Sequence, residues 1–249
     1  MSRILYGIHP IQAALEADKP IEKIVVSKSA RGTRVGQLIS HARKKGVPVQ
    51  YVAPEVLKKK AESRVSQGVL AWVSEIRWQS LEDLLDKLKS VSNPLFLLIL
   101  DQIEDPHNLG AIARSAEAFG AHGLILPQRR SAPMSAVASK AAAGALEILP
   151  IARVRNLSRA IEMLQAHNIW VIGTDEKGDR PVWETSLVDS VAVVIGNEGT
   201  GMRRLVREKC DELVQIPLRG KTPSLNASVA AGILCYEVFK QRLAEGNPK

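Results

Sequence analysis

Hydrophobic residues in the first third of the chain alternate between helical spacing and short continuous runs. Helical spacing covers residues 11–16, 35–44 and 55–61, and apolar runs cover residues 24–27, 47–52 and 69–73. Recurrence every three or four residues indicates an amphipathic helix, and a short apolar run bounded by turn residues indicates a strand. The pattern therefore predicts a small α/β unit over residues 1–75.

A polar stretch follows. Residues 81–88 have amphipathic spacing, and Ser92-Asn93-Pro94 is a sequence that breaks regular structure. We expect residues 76–93 to be a linker between two domains.

Beyond Pro94, near-continuous apolar runs predict strands at residues 95–100, 124–126, 170–173, 191–195 and 213–216. Helices are predicted at residues 109–119, 135–145, 157–166, 202–209 and 226–242. Apolar strands that alternate with helices are typical of a mainly parallel sheet covered on both faces. Residues 94–249 are thus expected to form an α/β domain.

Charge and composition narrow the function. The net charge is +8, and residues 1–93 contain 16 Lys/Arg against 9 Asp/Glu. This concentration of positive charge suits binding to a phosphate backbone, although a charged surface that only maintains solubility is an equal alternative. Aromatic residues make up 4% of the chain, which disfavours a single-strand binder built on stacked bases and favours structured RNA.

The sequence also lacks the patterns of a membrane span, a signal peptide and a metal site. No apolar run is long enough to span a bilayer and the N-terminus lacks a signal-peptide pattern, so we expect a cytoplasmic protein without a membrane partner. The five histidines and two cysteines show no metal-ligand spacing, so no metal is expected. Cys210 and Cys235 are expected to be buried apolar side chains.

The first chemical motif runs from Asp101 to Arg114, after a predicted strand and into a helix. Asn108 is a good N-cap candidate, because its side-chain oxygen can accept from the free N–H groups of the first turn. Arg114 carries a planar fork that can bind a phosphate. Taken alone, Asn108 is more simply explained as a plain helix cap and Arg114 as a surface charge.

Two further motifs follow predicted strands. Residues 196–202 contain Gly196, Gly199 and Gly201, which allow the backbone to approach a ligand closely, and also Glu198. Residues 216–230 place Ser224, Asn226 and Ser228 at the start of the last helix, where free N–H groups can receive a polar ligand. A glycine-rich turn and a capping cluster are the simpler alternatives.

Together and in this order, the three motifs closely resemble those of the SpoU (TrmH-like) RNA methyltransferases of the SPOUT superfamily, over roughly residues 94–242. The N-terminal part, with Tyr6-Gly7-Ile8-His9-Pro10-Ile11, looks like the ribosomal-protein-like substrate-binding domain of many members. The resemblance implies a trefoil-knotted methyltransferase domain and a homodimer with the site near the interface. It also implies S-adenosylmethionine as methyl donor, held by Gly196, Glu198, Gly199, Ile216 and Leu225.

The family's catalytic residue matches Arg114, sometimes described as the base. Because an arginine side chain stays protonated in proteins, we expect Arg114 to hold the target phosphate and polarise the 2′-oxygen. The proton would leave through a phosphate, Glu198 or water, and Glu198 is alternatively structural. Asn108, Ser224 and Asn226 are expected to fix the nucleotide and the loop.

The resemblance is greatest to members that methylate the ribose 2′-hydroxyl of a guanosine in 23S rRNA. A tRNA ribose 2′-O-methyltransferase of the same family is an alternative. A non-catalytic RNA-binding or ribosome-assembly protein with the same fold is another, although it leaves the set of Asn108, Arg114, Glu198 and Asn226 unexplained.

Overall fold

The computed structural model describes residues 2–61, 67–74 and 78–246, which fall into two compact units. The first unit comprises Met1–Arg77 together with Met134–Ile148, and the second comprises Trp78–Pro133 together with Leu149–Lys249. Residues 75–77, at the expected domain boundary and the start of the expected linker, lie outside the described residues, as do the last three residues.

The first unit is built on a four-stranded sheet with the order β1-β4-β2-β3, in which β2 and β3 are the parallel pair. Side chains of β1, β2 and β4 pack against α1 and α2 in one hydrophobic cluster. The small α/β unit predicted from the sequence is present, with an additional first strand. Its elements before residue 75 are β1 (Ser2–Tyr6), α1 (Ile8–Glu16), β2 (Ile21–Ser27), α2 (Thr33–Lys44), β3 (Val49–Val52), α3 (Pro54–Lys60) and β4 (Val69–Ser74).

The rest of the chain alternates strands and helices. Its elements are α4 (Leu81–Leu88), β5 (Phe96–Leu100), α5 (Pro106–Ala118), β6 (Gly123–Pro127), α6 (Ala136–Ala142), α7 (Ala145–Ile148), β7 (Ile151–Val154), α8 (Leu157–Ala166), β8 (Trp170–Thr174), β9 (Arg180–Pro181), a 3₁₀ turn (Val182–Glu184), β10 (Val191–Ile195), α9 (Arg204–Lys209), β11 (Glu212–Gln215) and α10 (Ala227–Ala244).

The second unit contains a seven-stranded sheet with the order β7-β6-β5-β10-β8-β11-β9. Every neighbouring pair is parallel, and all residues of β5 and β10 are buried. The predicted parallel α/β sheet is therefore confirmed. Parallel strands share a carboxyl edge, and this edge is where ligands bind in open α/β sheets. The trefoil knot stays a prediction.

Helix α4 differs from the expected linker. Ser80 caps it and forms a reciprocal capping box with Asp83, and its four leucines are buried. These leucines pack with Leu97 and Ile99 of β5 in the core of the second unit. Because its N-terminus is capped and its apolar face packs against the core, this amphipathic stretch folds as a helix of the second unit.

The segment 134–148, predicted as one helix over residues 135–145, forms two helices in the first unit. Ala143 and Gly144 have φ values of 51° and 108°, which end α6 before α7 begins. A Cβ on Gly144 would lie 2.5 Å from the Cβ of Ala13, so glycine permits the close approach of α1. Arg3 of β1 forms an ion pair with the buried Glu147 of α7.

No helix within the described residues combines the length and the apolar character needed to cross a membrane.

Candidate active site

The loop after β10 forms a tight turn that its own hydrogen bonds hold. Asn197 and Gly201 exchange backbone hydrogen bonds of 3.1 and 2.8 Å, and Asn197 Oδ1 accepts from the N–H groups of Gly199 and Thr200 at 2.9 and 3.2 Å. A Cβ on Gly196 would lie 2.5 Å from the carbonyl carbon of Gly201. The tight turn therefore requires glycine at position 196.

A buried carboxylate anchors this loop to β5. Asp101 follows β5 and has 0% exposure. Its Oδ2 accepts from the backbone N–H of Arg203 at 2.8 Å, and its Oδ1 accepts from Arg203 Nε at 2.7 Å. A charge buried in this way is stable because it is paired and hydrogen-bonded. Both ends of the glycine-rich loop are thus held, one by β10 and the other by Asp101.

Three side chains from the three sequence motifs meet in one hydrogen-bonded group, which we call the Glu198–Asn226–Asn108 bridge. Asn226 Nδ2 donates to Glu198 Oε2 at 2.8 Å and to Asn108 Oδ1 at 3.1 Å. The backbone N–H of Ala227 also reaches Glu198 Oε2, at 3.4 Å. The bridge connects the loop after β10 with the first turns of α5 and α10.

Asn226 also begins α10. Its Oδ1 accepts from the backbone N–H of Ser228 at 3.0 Å and from the Ser228 hydroxyl at 2.6 Å. Glu198 therefore lies at the N-terminus of an 18-residue helix, where a negative charge is favourable. The expected capping cluster is present, and the same amide that caps the helix holds the bridge.

Helix α5 begins earlier than the sequence suggested, and the prediction of Asn108 as its N-cap is wrong. Asp105 is the N-cap and accepts from the N–H of His107 at 2.8 Å, and Pro106 occupies the first helical position. Proline is favoured there because its missing N–H is not needed. Asn108 is the third residue of α5, in its first turn, and its side-chain oxygen accepts from Asn226.

Arg114 does not join the bridge. It is exposed on α5, about 9 Å along the helix axis from Asn108 at a rise of about 1.5 Å per residue. No hydrogen bond or ion pair connects it to the residues that the structure describes. Ser224 is exposed as well, in the segment that precedes α10.

A cavity of about 480 Å³, which we call the β10 cavity, opens at the ends of β8, β10 and β11. It contains all five residues expected to hold a methyl donor, namely Gly196, Glu198, Gly199, Ile216 and Leu225, and also Ser224. Its volume suits a ligand of small-molecule size. The lining is formed by residues 174–177, 195–202, 207, 214, 216, 218, 223–225, 227 and 230.

Charged residues after β8, which the sequence did not single out, also line this cavity. Asp175 accepts from the N–H of Lys177 and from Arg207 Nε, both at 2.8 Å. Partial burial raises the pKa of Asp175, but these hydrogen bonds and the nearby positive charges outweigh it and leave the pKa below its ordinary value. Asp175 is therefore a carboxylate at neutral pH.

Two family models match the chain. The SpoU rRNA Methylase family model matches residues 95–236, and a model described as RNA 2'-O ribose methyltransferase substrate binding matches residues 4–79. The chain belongs to the SpoU rRNA methylase family. The 23S rRNA (guanosine-2'-O-)-methyltransferase RlmB of Escherichia coli strain K12 is 44% identical over 243 residues, which cover 97% of this chain and 100% of that relative.

Solved SpoU structures agree with the fold. The SpoU methyltransferase AviRb from Streptomyces viridochromogenes, in complex with the cofactor AdoMet, is 28% identical with a TM-score of 0.80, and the match covers 98% of this chain and 91% of AviRb. The AdoMet-bound rRNA methyltransferase from Sinorhizobium meliloti is 26% identical with a TM-score of 0.79, covering 96% and 87%. The family resemblance stated from the three motifs is confirmed.

Within this SpoU chain, the anchoring residues Asp101, Asn197 and Arg203 had no role assigned from sequence. Asp101 stood inside the first motif, and its position directly after a buried strand was the available signal. Arg203 is separated from it by 102 positions, so no local pattern connects the two.

In residues 2–61, 67–74 and 78–246, no group of three or more His, Cys, Asp or Glu side chains is placed to hold a metal ion.

Proposed function

We propose that this protein transfers a methyl group from S-adenosylmethionine to the ribose 2′-hydroxyl of a guanosine in 23S rRNA. The observation that carries the proposal is the Glu198–Asn226–Asn108 bridge beside the β10 cavity, because it joins the three SpoU motifs at one carboxyl edge. The rRNA substrate is supported by the 44% identity to E. coli RlmB over nearly the whole of both chains.

The β10 cavity fits the methyl donor. Gly196 and Gly199 expose backbone groups, and Ile216 and Leu225 supply apolar walls for an adenine ring. The lining carries charges of both signs, from Asp175 and Glu198 and from Lys177 and Arg207, and so complements a ligand with ammonium, sulfonium and carboxylate charges. Bound there, S-adenosylmethionine supplies an electrophilic methyl group, so that positioning of the attacking oxygen provides much of the catalysis.

The bridge orients the polar groups that face the RNA. Because Asn108 Oδ1 accepts from Asn226, the Nδ2 group of Asn108 is left to donate to a ribose or phosphate oxygen. Asn226 fixes the start of α10 through Ser228, and the exposed Ser224 in the cavity lining is available to contact the nucleotide. In the reaction, the 2′-oxygen bonds to the methyl carbon, the carbon–sulfur bond breaks, and the hydroxyl proton leaves to a phosphate, Glu198 or water.

Arg114 is proposed to bind the phosphate of the target nucleotide and to polarise its 2′-oxygen. Its exposed guanidinium forms no ion pair with the described residues, so its charge is free for an anion. Glu198 Oε2 already accepts from Asn226 and Ala227, which favours a structural role for this carboxylate. Glu198→Gln turnover measured across pH separates a structural role from proton acceptance.

The first unit is proposed to bind the rRNA, in line with the substrate-binding family model over residues 4–79. Lys23 and Lys60 lie 5.0 and 5.3 Å from the ring centre of Trp72, and Lys58 and Lys59 extend this positive surface along α3. A group of lysines around an aromatic ring suits a phosphate backbone.

A homodimer is proposed on the outward face of α10. Val229, Ile233 and Tyr236 follow helical spacing and are 50%, 38% and 51% exposed. A row of large apolar side chains on a helix surface is typical of an interface. Ile233→Asp should give a monomer in analytical ultracentrifugation. A cytoplasmic location is inferred from the proposed rRNA substrate.

The deciding experiment combines calorimetry with mapping of the methylated position. The purified protein is titrated with S-adenosylmethionine and then incubated with unmethylated 23S rRNA and tRNA transcripts, followed by 2′-O-methylation mapping. One modified guanosine in 23S rRNA is expected. Modification of tRNA alone would support the tRNA alternative, and absence of S-adenosylmethionine binding would support a non-catalytic ribosome-assembly protein.

A further inference from the structure

Four arginines lie at the carboxyl ends of β6 and β7, and we call them the arginine cluster. Arg129 and Arg130 follow β6, Arg153 lies in β7, and Arg155 follows it. In the sheet order, β5 separates these two strands from β10 and β8. The cluster is therefore on the same edge as the β10 cavity but on the other side of β5.

Strand register brings these side chains together. Pro127 of β6 lies opposite Val154 of β7, and the next residue, Gln128, donates from its backbone N–H to the Val154 carbonyl at 2.8 Å. Arg129 and Arg155 therefore lie just beyond the ends of two neighbouring strands. Beside Arg129 lies a cavity of about 520 Å³, which is lined by Trp78, Gln79, Ser80, Gln128, Arg129 and Arg153.

Arg153 is held in place before any ligand binds. Its guanidinium carbon lies 4.6 Å from the ring centre of Trp78, and its Nη2 donates to the Gln128 carbonyl at 3.0 Å. The Arg153 N–H also donates to the Gln79 carbonyl at 3.0 Å, which extends the sheet by one short bridge beside β7. Its buried Nε has no hydrogen-bond partner among the described residues. A guanidinium fixed in this way loses little side-chain entropy on binding.

No carboxylate in the described part of the chain neutralises the cluster. Between residues 128 and 161 the sequence has one acid, Glu147, and that side chain pairs with Arg3 in the first unit. On the adjoining elements, Asp83 of α4 accepts from the N–H of Ser80 in the capping box, and Glu104 is exposed in the loop after β5. Within the described residues, neither acid forms an ion pair with the cluster. By contrast, Arg203 and Arg207 beside the β10 cavity are both paired with aspartates.

We propose that the arginine cluster binds the phosphate backbone of the substrate RNA on the strand that flanks the target nucleotide. The proposal rests on the proposed methylation of rRNA and adds a second RNA surface, on the methyltransferase unit itself. At about 4.8 Å between strands, β7 lies about 10 Å from β5, where the first motif begins. An RNA strand of a few nucleotides spans that distance, and arginine forks match phosphate geometry.

The test uses the full-length protein and an unmethylated 23S rRNA transcript in filter binding between 50 and 200 mM KCl. The variant Arg129→Ala/Arg155→Ala changes two exposed residues and so leaves the fold intact. Loss of two phosphate contacts should weaken binding about tenfold and lower the slope of log K against log salt by about 1.5. Affinity for S-adenosylmethionine, measured by calorimetry, should not change.

The matched control is Lys89→Ala/Lys209→Ala, which removes two exposed positive charges that are paired with Asp86 and Glu162. It should bind RNA like the wild type. Arg153→Lys keeps the charge but loses the stacked fork, and it should weaken binding severalfold. Equal RNA affinity and equal salt slope in the Arg129/Arg155 variant and the control would overturn the proposal. If the wild type itself neither binds S-adenosylmethionine nor methylates 23S rRNA, the proposed function fails instead.

Discussion

The anchor between Asp101 and Arg203 allows a quantitative test of how the glycine-rich loop is held. In Asp101→Asn, one of the two carboxylate oxygens becomes an NH₂ group that faces an N–H donor of Arg203. One charge-assisted hydrogen bond is lost, which costs about 1.5–3 kcal/mol. The Arg203 side chain is 37% exposed, so water can solvate the released guanidinium. This keeps the cost below the roughly 3–5 kcal/mol that is usual when a fully buried pair is broken.

We therefore expect Asp101→Asn to lower the free energy of unfolding by about 2 kcal/mol and the melting temperature by about 4–8 °C. If binding must reorder the loop, the same energy weakens S-adenosylmethionine binding by up to about thirtyfold. Circular dichroism melts and calorimetry measure the two effects. Asp105→Asn is the matched control, because asparagine caps a helix as well as aspartate does. An Asp101→Asn protein that melts and binds S-adenosylmethionine like the wild type would refute the role of the anchor.

Further predictions concern individual residues of the site and the two cysteines. Gly196→Ala places a Cβ 2.5 Å from backbone and should reduce S-adenosylmethionine affinity in calorimetry by more than about tenfold, equivalent to about 1.4 kcal/mol; unchanged affinity would contradict the required turn. Asn226→Ala should cost about 1 kcal/mol as a lost cap and also abolish most turnover, whereas a stability loss with normal turnover would make the bridge merely structural. Arg114→Lys should lose most activity in single-turnover assays while S-adenosylmethionine binding survives, and near-normal turnover would exclude the phosphate clamp. Burial raises the pKa of Cys210 and of Cys235 to about 12, so neither thiol should react with a thiol reagent at pH 8 unless the protein is unfolded. Because the unfolded thiols ionise near pH 9 and the folded ones do not, stability should decline above pH 9, and a urea titration at pH 8 and 10 checks this sign.

The elements predicted best from the sequence are those whose burial is uniform. The five apolar residues of β5 and of β10 are buried on both faces, so a continuous apolar run was a sufficient signal. Strand β7 was not predicted because it is short and because the charged Arg153 interrupts the apolar run that would indicate a strand. The N-cap of α5 was misplaced because Asn108 and Asp105 are both good caps, and Pro106 decides between them.

The candidate site was predictable as three separate segments but not as a connected group. Glycine spacing at Gly196 and Gly199 and the polar cluster at Ser224 and Asn226 pointed to a ligand edge. The direct contact between Asn108 and Asn226 spans 118 positions and depends on the sheet order, which local periodicity does not encode. Arg114 belongs to the same sequence motif as Asn108, but six residues of helix α5 separate the two along its axis.

The discontinuous first unit has a consequence for evolution by recombination. Residues 134–148 are inserted between β6 and β7 in the chain but belong with residues 1–77, and their Glu147 neutralises Arg3. A gene crossover at the apparent boundary near residue 77 would separate Arg3 from its counter-charge and Ala13 from the close-fitting Gly144. The RNA-binding module therefore cannot be exchanged among relatives as one contiguous cassette. An exchange of residues 1–77 therefore also requires matching changes in residues 134–148, which are encoded within the methyltransferase part of the gene.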